Sequence, residues 1–342
     1  MNEKDLMNAL NEIDDDLLVF EEKRRKPLKG SWKMLIAAVL IMVFSVTAYA
    51  VGNITTSYKT KVIDGEGLWK LYYGDVEEAE FHEMTVDYKL EPQKVSKEFY
   101  SDCVAALNYQ CESIQHTYED YHGEEYILSE GEELWASLSF YFDNLNFPET
   151  DERSNYTVDE LEEYMGIELH LGDEIREGIN YLAEKRKAKK TSLWPCSVTV
   201  TGKKVSEAEG GFVPLCATIS FIVDYDSKGN FVYAYTYICL SEEKTTATSV
   251  WNSFEKEGKW REKIIKTDSG KEIYFIHNNP RKGFRSSAKA FWTEDGIGYE
   301  AYSAMAYDWE HKDEAVKYLK PFIEDIKKFD TNSSKNTNFY KK

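Results

Sequence analysis

The sequence predicts an α+β fold: a single N-terminal transmembrane helix followed by an extracytoplasmic mixed domain of antiparallel sheets with packed helices. Three observations predict it. Met34 to Val51 form eighteen consecutive residues without a charge, about 27 Å of helix, which just crosses a bilayer core. Beyond them, helically spaced apolar residues alternate with short strand-like runs, and the second half of the chain turns almost wholly to such runs. Asp295-Gly296 separates the last two of these runs, and an Asp-Gly pair between alternating strands signals a tight antiparallel hairpin. The expected divisions are a cytoplasmic tail over 1–33, a transmembrane helix over 34–52, an α+β region over 53–190, and an antiparallel sheet with a C-terminal helix over 191–330. A disordered end follows over 331–342, and the joint between the two exterior regions is expected at Lys185–Pro195.

In the tail, Leu6, Leu10, Ile13, Leu17 and Phe20 recur by threes and fours, one apolar stripe along a helix. A lone helix of this length has no core of its own and is marginal in water, so the stripe calls for a partner. Asp14, Asp15 and Asp16 disfavour anionic lipid, leaving a cytoplasmic protein as the expected partner of residues 1–22. Lys23, Arg24, Arg25, Lys26, Lys29 and Lys33 then crowd the near side of the apolar segment, which orients the tail to the cytoplasm. Ala48-Tyr49-Ala50 resembles a signal-peptidase site, but the segment is longer than a secretory apolar region and its leader holds eight acids. The anchor reading is therefore preferred to the cleaved one.

The exterior elements follow in order. "SYKTKVIDGEGLWKLYYGD" and "FHEMTVDYKL" alternate as strands, and Phe99, Cys103, Leu107, Cys111 and Ile114 mark a helix. "LWASLSFYFDNLNF" is strand-rich. Thr157 and Glu160 form a capping box opening a short helix that Gly166 closes, and "GDEIREGINYLAEKRKAKK" is a second helix whose basic end suits the helix dipole. Strands are expected at "CSVTVTGKKV", "LCATISFIVDYDSKGNFVYAYTYICL", "KEIYFIH" and "SAKAFWTEDGIGYEAYSAMAY", whereas "SVWNSFEKEGKW" reads as helix-like. A last helix, about His311 to Phe329, buries Ala315, Leu319, Phe322, Ile323 and Ile326, with a kink at Pro321.

The tail "LMNALNEIDDDLL", its basic cluster, the single span and the acidic exterior resemble a group of Firmicute, mostly clostridial, single-pass membrane proteins, anti-sigma-like and with a large extracytoplasmic domain. "YTVDELEEYMGIEL" and "KAFWTEDGIGYEAYSAMAYDWEHKDEAVKYLKPFIEDI" are similar to that group's short helix and to its C-terminal hairpin-then-helix unit. The resemblance covers about a quarter of the chain and implies a topology and a fold rather than an activity. The tail lacks the Cys and His of zinc-binding anti-sigma factors, and at 33 residues it is short for a helical clamp.

Composition limits the chemistry further. Of 61 acids and 42 bases, 53 and 35 lie beyond residue 33, a balance of −18 that repels nucleic acid. All five cysteines fall there too, where oxidation is permitted, and buried free thiols are the default expectation. "DYDSKGN" imitates half a calcium loop, but Lys228 and Tyr235 occupy ligand positions, so it reads as a hairpin turn and no metal or cofactor is expected. No nucleophile motif appears in a context that would expose it, so no catalytic residue is assigned. The one unusual quantity is aromatic: 24 Tyr, 17 Phe and 8 Trp, with Tyr233, Tyr235 and Tyr237 set to share one face of a strand. The expected function is a non-enzymatic single-pass membrane protein at the cell membrane, with an exterior that senses or binds a ligand and a cytoplasmic docking helix. An anti-sigma-like transcription regulator and a structural cell-surface protein are the alternatives.

Overall fold

The computed structural model describes residues 54–64, 78–139, 141, 156–188, 195–225, 230–254, 258–266, 272–280, 286–305 and 314–328. The chain divides into two compact units, Met1–Tyr49 and Ala50–Lys342, and every described residue belongs to the second. The expected transmembrane segment and the stripe Leu6, Leu10, Ile13, Leu17 and Phe20 lie outside the described residues. Among those described, no helix is long and apolar enough to cross a membrane.

The second unit is α+β, with antiparallel sheets and few helices. Its strands are β1 (Ile54–Asp64), β2 (Glu78–Lys89), β3 (Glu133–Ser137), β4 (Cys196–Lys204), β5 (Phe212–Tyr225) and β6 (Phe231–Cys239), then β7 (Thr246–Phe254), β8 (Gly258–Lys266), β9 (Glu272–Pro280), β10 (Ser287–Glu294) and β11 (Ile297–Ala304). Among the described residues its longer helices are α1 (Lys97–His122), α2 (Val158–Met165), α3 (Asp173–Lys187) and α4 (Glu314–Lys328). Eight strands form one sheet in the order β3-β4-β5-β6-β11-β10-β9-β8, and β1-β2-β7 form a second. The segments on either side of Lys185–Pro195 share both sheets, because β3 pairs with β4 and β2 pairs with β7.

Alternation decides which face of the large sheet meets what. On β6, Val232, Ala234 and Ile238 join the core beneath the helices, while Tyr237 and Cys239 join a second core facing Met84, Val86 and Tyr88 of β2. Helices thus cover one face and the small sheet the other, each burying one side of a two-sided strand pattern. On the helix side, α1 contributes Phe99, Cys103, Ala106, Leu107 and Cys111, and its N-terminus is capped by Ser96, whose hydroxyl accepts from Phe99 N. The capping box of α2 forms as expected: Thr157 Oγ accepts from Glu160 N, and Thr157 N–H donates to Glu160 Oε2 at 2.7 Å. Arg176 ties α3 to α2, reaching Glu162 at 2.7 Å and the Leu169 carbonyl at 3.0 Å.

Asp295 and Gly296, with φ of 48° and 77°, make the turn between β10 and β11, two left-handed residues as a tight hairpin requires. The last helix runs Glu314–Lys328 with Pro321 inside it, and Ala315, Leu319, Phe322 and Ile323 are buried. Two expectations are corrected. The described residues of "SVWNSFEKEGKW", 249–254 and 258–260, are not helical: they lie in β7 and the start of β8, with Ser249 and Trp251 buried. "LWASLSFYFDNLNF" is strand only through Ser137, beyond which 138–139 and 141 are helical. β3 pairs over five residues of β4, after which Leu138 turns into the helix-side core.

Candidate functional site

Between the two sheets lies a charged centre built from four strands. Glu300 of β11 is 1% exposed, a costly place for a carboxylate unless it is paired and hydrogen-bonded. Lys289, on adjacent β10, pairs with Tyr302 in register and reaches diagonally to place Nζ 2.7 Å from Glu300 Oε1. Ser249 of β7 donates to Oε2 at 2.7 Å and Tyr237 of β6 donates to the same oxygen at 3.0 Å. The carboxylate therefore joins three strands of the large sheet to the small one.

Rings enclose the pair. Lys289 Nζ lies 5.2 Å from the centroid of Tyr302 and 5.7 Å from those of Trp251 and Phe291, within reach of cation–π attraction. Tyr88 stacks on Tyr237 at 4.8 Å and leans on Phe291 at 6.1 Å. Gly298 makes this stacking possible: a Cβ there would stand 2.9 Å from Tyr88 Cδ1. The Tyr88 hydroxyl is buried and has no hydrogen-bond partner among the described residues. Burial first, and then the Glu300 charge, push the phenols of Tyr88, Tyr237 and Tyr235 above their ordinary value. All three remain protonated at neutral pH.

The face predicted to carry Tyr233, Tyr235 and Tyr237 is the one that faces the charged centre. The register sets Tyr237 opposite Gly298, Tyr235 opposite Glu300 and Tyr233 opposite Tyr302. From Tyr235 the rings continue outward: Tyr233 at 6.3 Å, Phe231 5.0 Å beyond it, and Tyr302 5.6 Å from Phe231. Tyr237 is buried, Tyr233, Tyr302 and Phe231 are half-buried, and Tyr225, near this end, is 44% exposed. The strip thus runs from a buried charged centre to the surface, a graded platform of ring faces and phenol hydroxyls.

A second polar tie joins the sheets at their rim. Tyr58 OH of β1 lies 2.9 Å from Tyr274 OH of β9, and Tyr274 donates to Glu262 of β8. Burial and the neighbouring Glu262 push the Tyr58 phenol up to about 12. The five cysteines are all buried and free. Asp224 of the calcium-like stretch accepts from Tyr318 OH and from Tyr225 N, while residues 226–229 lie outside the described residues. No group of three or more His, Cys, Asp or Glu is placed to hold a metal ion among the described residues.

Sequence reasoning missed Glu300, Lys289, Ser249 and Tyr88. The available signal was a pair of opposite charges inside otherwise apolar or small-residue runs, "GYEAYSA" and "SAKAFW", on the two arms of one predicted hairpin. The chain matches no protein-family model, no curated protein and no solved structure.

Proposed function

We propose that the chain is a non-enzymatic, single-pass membrane protein whose exterior unit binds a ligand through the aromatic strip, with the amphipathic tail as its cytoplasmic docking helix. The observation that carries the binding half is the strip itself. Phe231, Tyr233 and Tyr302 are half-buried ring contacts on one sheet face, held at their inner end by the Lys289–Glu300 pair. Ring faces with hydroxyl edges suit the apolar faces and hydroxyls of sugars, so a carbohydrate or cell-wall polymer is the ligand class favoured. A binding rather than catalytic role is supported by the saturation of Glu300, whose two oxygens already accept from Lys289, Ser249 and Tyr237. The membrane half rests on the charge-free run Met34–Val51 and the six bases before it.

Two measurements test this reading. Co-sedimentation of the full chain with insoluble wall polymer is expected to show binding that falls roughly tenfold in a Tyr233→Ala/Tyr302→Ala variant. Equal binding by the variant removes the strip from the reading. N-terminal sequencing of the protein from membranes is expected to begin at or near Met1, and a start near Val51 overturns the anchor. The resemblance of "LMNALNEIDDDLL" to anti-sigma-like tails supports the alternative of a transcription regulator. Recovery of a sigma factor on a peptide of residues 1–30 is its expected signature, and recovery of no protein sinks the docking role of the tail.

A further inference from the structure

We propose that Cys216 and Cys239 are an oxidative modification site, two thiols held in register to close a cross-strand disulfide within the large sheet. They are direct partners in the β5–β6 ladder. At the next position Leu240 N–H donates to the Leu215 carbonyl at 2.9 Å, which makes that pair hydrogen-bonded. Antiparallel ladders alternate, so Cys216 and Cys239 occupy the narrow, non-hydrogen-bonded position, where Cα atoms stand about 4.5 Å apart. A second bond agrees: the Cys239 carbonyl accepts from Gln93 N–H at 2.8 Å and therefore faces away from β5. Disulfides join Cα atoms about 4.4 to 6.8 Å apart, so closure here needs side-chain rotation and no backbone rearrangement.

The other cysteines lack this alignment. Cys196 stands opposite Phe221, and Cys103 and Cys111 are more than two turns apart on α1. Cys216 and Cys239 also share the inter-sheet core, at 7% and 0% exposure. The Cys239 thiol lies 2.9 Å from the Ser241 carbonyl and 2.8 Å from that of Lys244. Both carbonyls belong to the turn after β6, in which Glu242 and Glu243 are exposed, so a small oxidant has one turn of chain to pass.

The oxidant class is a peroxide. One cysteine thiolate attacks an oxygen of hydrogen peroxide, the O–O bond breaks, and a sulfenic acid forms as the departing hydroxide takes a proton to become water. The second thiol attacks that sulfur, the S–S bond forms, and the sulfenic oxygen leaves as a second water. Two S–H bonds are lost and one peroxide is reduced to two waters. Burial pushes the Cys216 thiol up to about 12 and raises that of Cys239 as well, so thiolate is scarce at neutral pH and closure is slow, quickening as pH rises.

The position gives closure a structural consequence. Two segments that link the sheets meet here: Leu90 N–H, just after β2, donates to the Thr245 carbonyl, just before β7, at 2.7 Å, and Pro92 bridges to Cys239. A disulfide staples β5 to β6 where the chain leaves the large sheet for the small one.

The test uses the purified, reduced full chain, treated with hydrogen peroxide, denatured, alkylated and digested with trypsin. The expected result is residues 205–228 joined to residues 229–244 with the loss of two hydrogens, three alkylated cysteines, and a Tm raised by about 5 °C or more. The joined peptides are expected to vanish in Cys216→Ser and in Cys239→Ser. Five alkylated cysteines after prolonged exposure to peroxide at raised pH, or a cross-link through any other cysteine, overturns the proposal. The wild-type peptide map decides the matter even if a variant fails to fold.

Discussion

Tyr88 and Tyr237 are stacked on each other, yet their hydroxyls differ in what they do. Tyr237 donates to a buried carboxylate, whereas the Tyr88 hydroxyl is buried without a partner among the described residues. A bond to a charged group contributes about 1.5 to 3 kcal/mol, while an unmet hydroxyl only carries its desolvation cost. Tyr237→Phe is therefore expected to lower unfolding free energy by about 2 kcal/mol, and Tyr88→Phe to leave it unchanged or raise it by up to about 1 kcal/mol. Chemical denaturation of both variants checks the contrast, and equal losses would refute it. The Lys289–Glu300 pair obeys a related asymmetry. Lys289→Met strips a buried carboxylate of its cation and is expected to cost about 3 kcal/mol, whereas Lys289→Met with Glu300→Leu recovers much of that loss. Gly298→Ala, which drives a Cβ to within 2.9 Å of the Tyr88 ring, is expected to cost about 1 to 3 kcal/mol and to alter the near-ultraviolet circular dichroism of the stacked rings.

Elements whose causes are local could be read from the sequence, and those with distant causes could not. The short helix α2 carries its own instructions: Thr157 and Glu160 satisfy each other's backbone, and Gly166 ends it. Thr157→Ala is accordingly expected to cost about 1 kcal/mol, measurable by the same denaturation. The β10–β11 hairpin was equally local, since Asp295-Gly296 adopts the two left-handed conformations that such a turn needs. β7 was misread because nothing within "SVWNSFEKEGKW" names its partner. Thr248 meets Asp87 161 residues away in sequence, and only that pairing makes the segment a strand. The candidate site divides along the same line. The common face of Tyr233, Tyr235 and Tyr237 follows from period-two alternation, whereas Ser249 reaches Glu300 only because β7 crosses to the other sheet.

At the scale of the whole molecule, one large sheet is dressed on one face by helices and on the other by a small sheet, with protonated groups sealed at both layers. Cys196 and Cys216 are pushed by burial up to about 12, and the phenols of Tyr88 and Tyr237 are raised as well. In the unfolded chain thiols ionise near about 8.5 and phenols near about 10, so between those values and the folded ones the unfolded state binds fewer protons. Stability of the reduced protein is thus expected to be fully present below about pH 8.5 and to decline as pH rises toward 12. Ultraviolet titration of phenolate should show a group of tyrosines ionising only together with cooperative unfolding, and smooth reversible ionisation of all of them near pH 10 would contradict this. The pairing of β2 with β7 also sets an order of assembly. A ribosome releases the β1–β2 hairpin first, but its third strand emerges only after α1, α2, α3 and β3 to β6. Until β6 emerges Met84, Val86 and Tyr88 have no sheet face to cover, and until β7 emerges β2 presents an open edge. The hairpin is thus the part of the newborn chain most in need of a chaperone, and its closure is the expected slow step of folding.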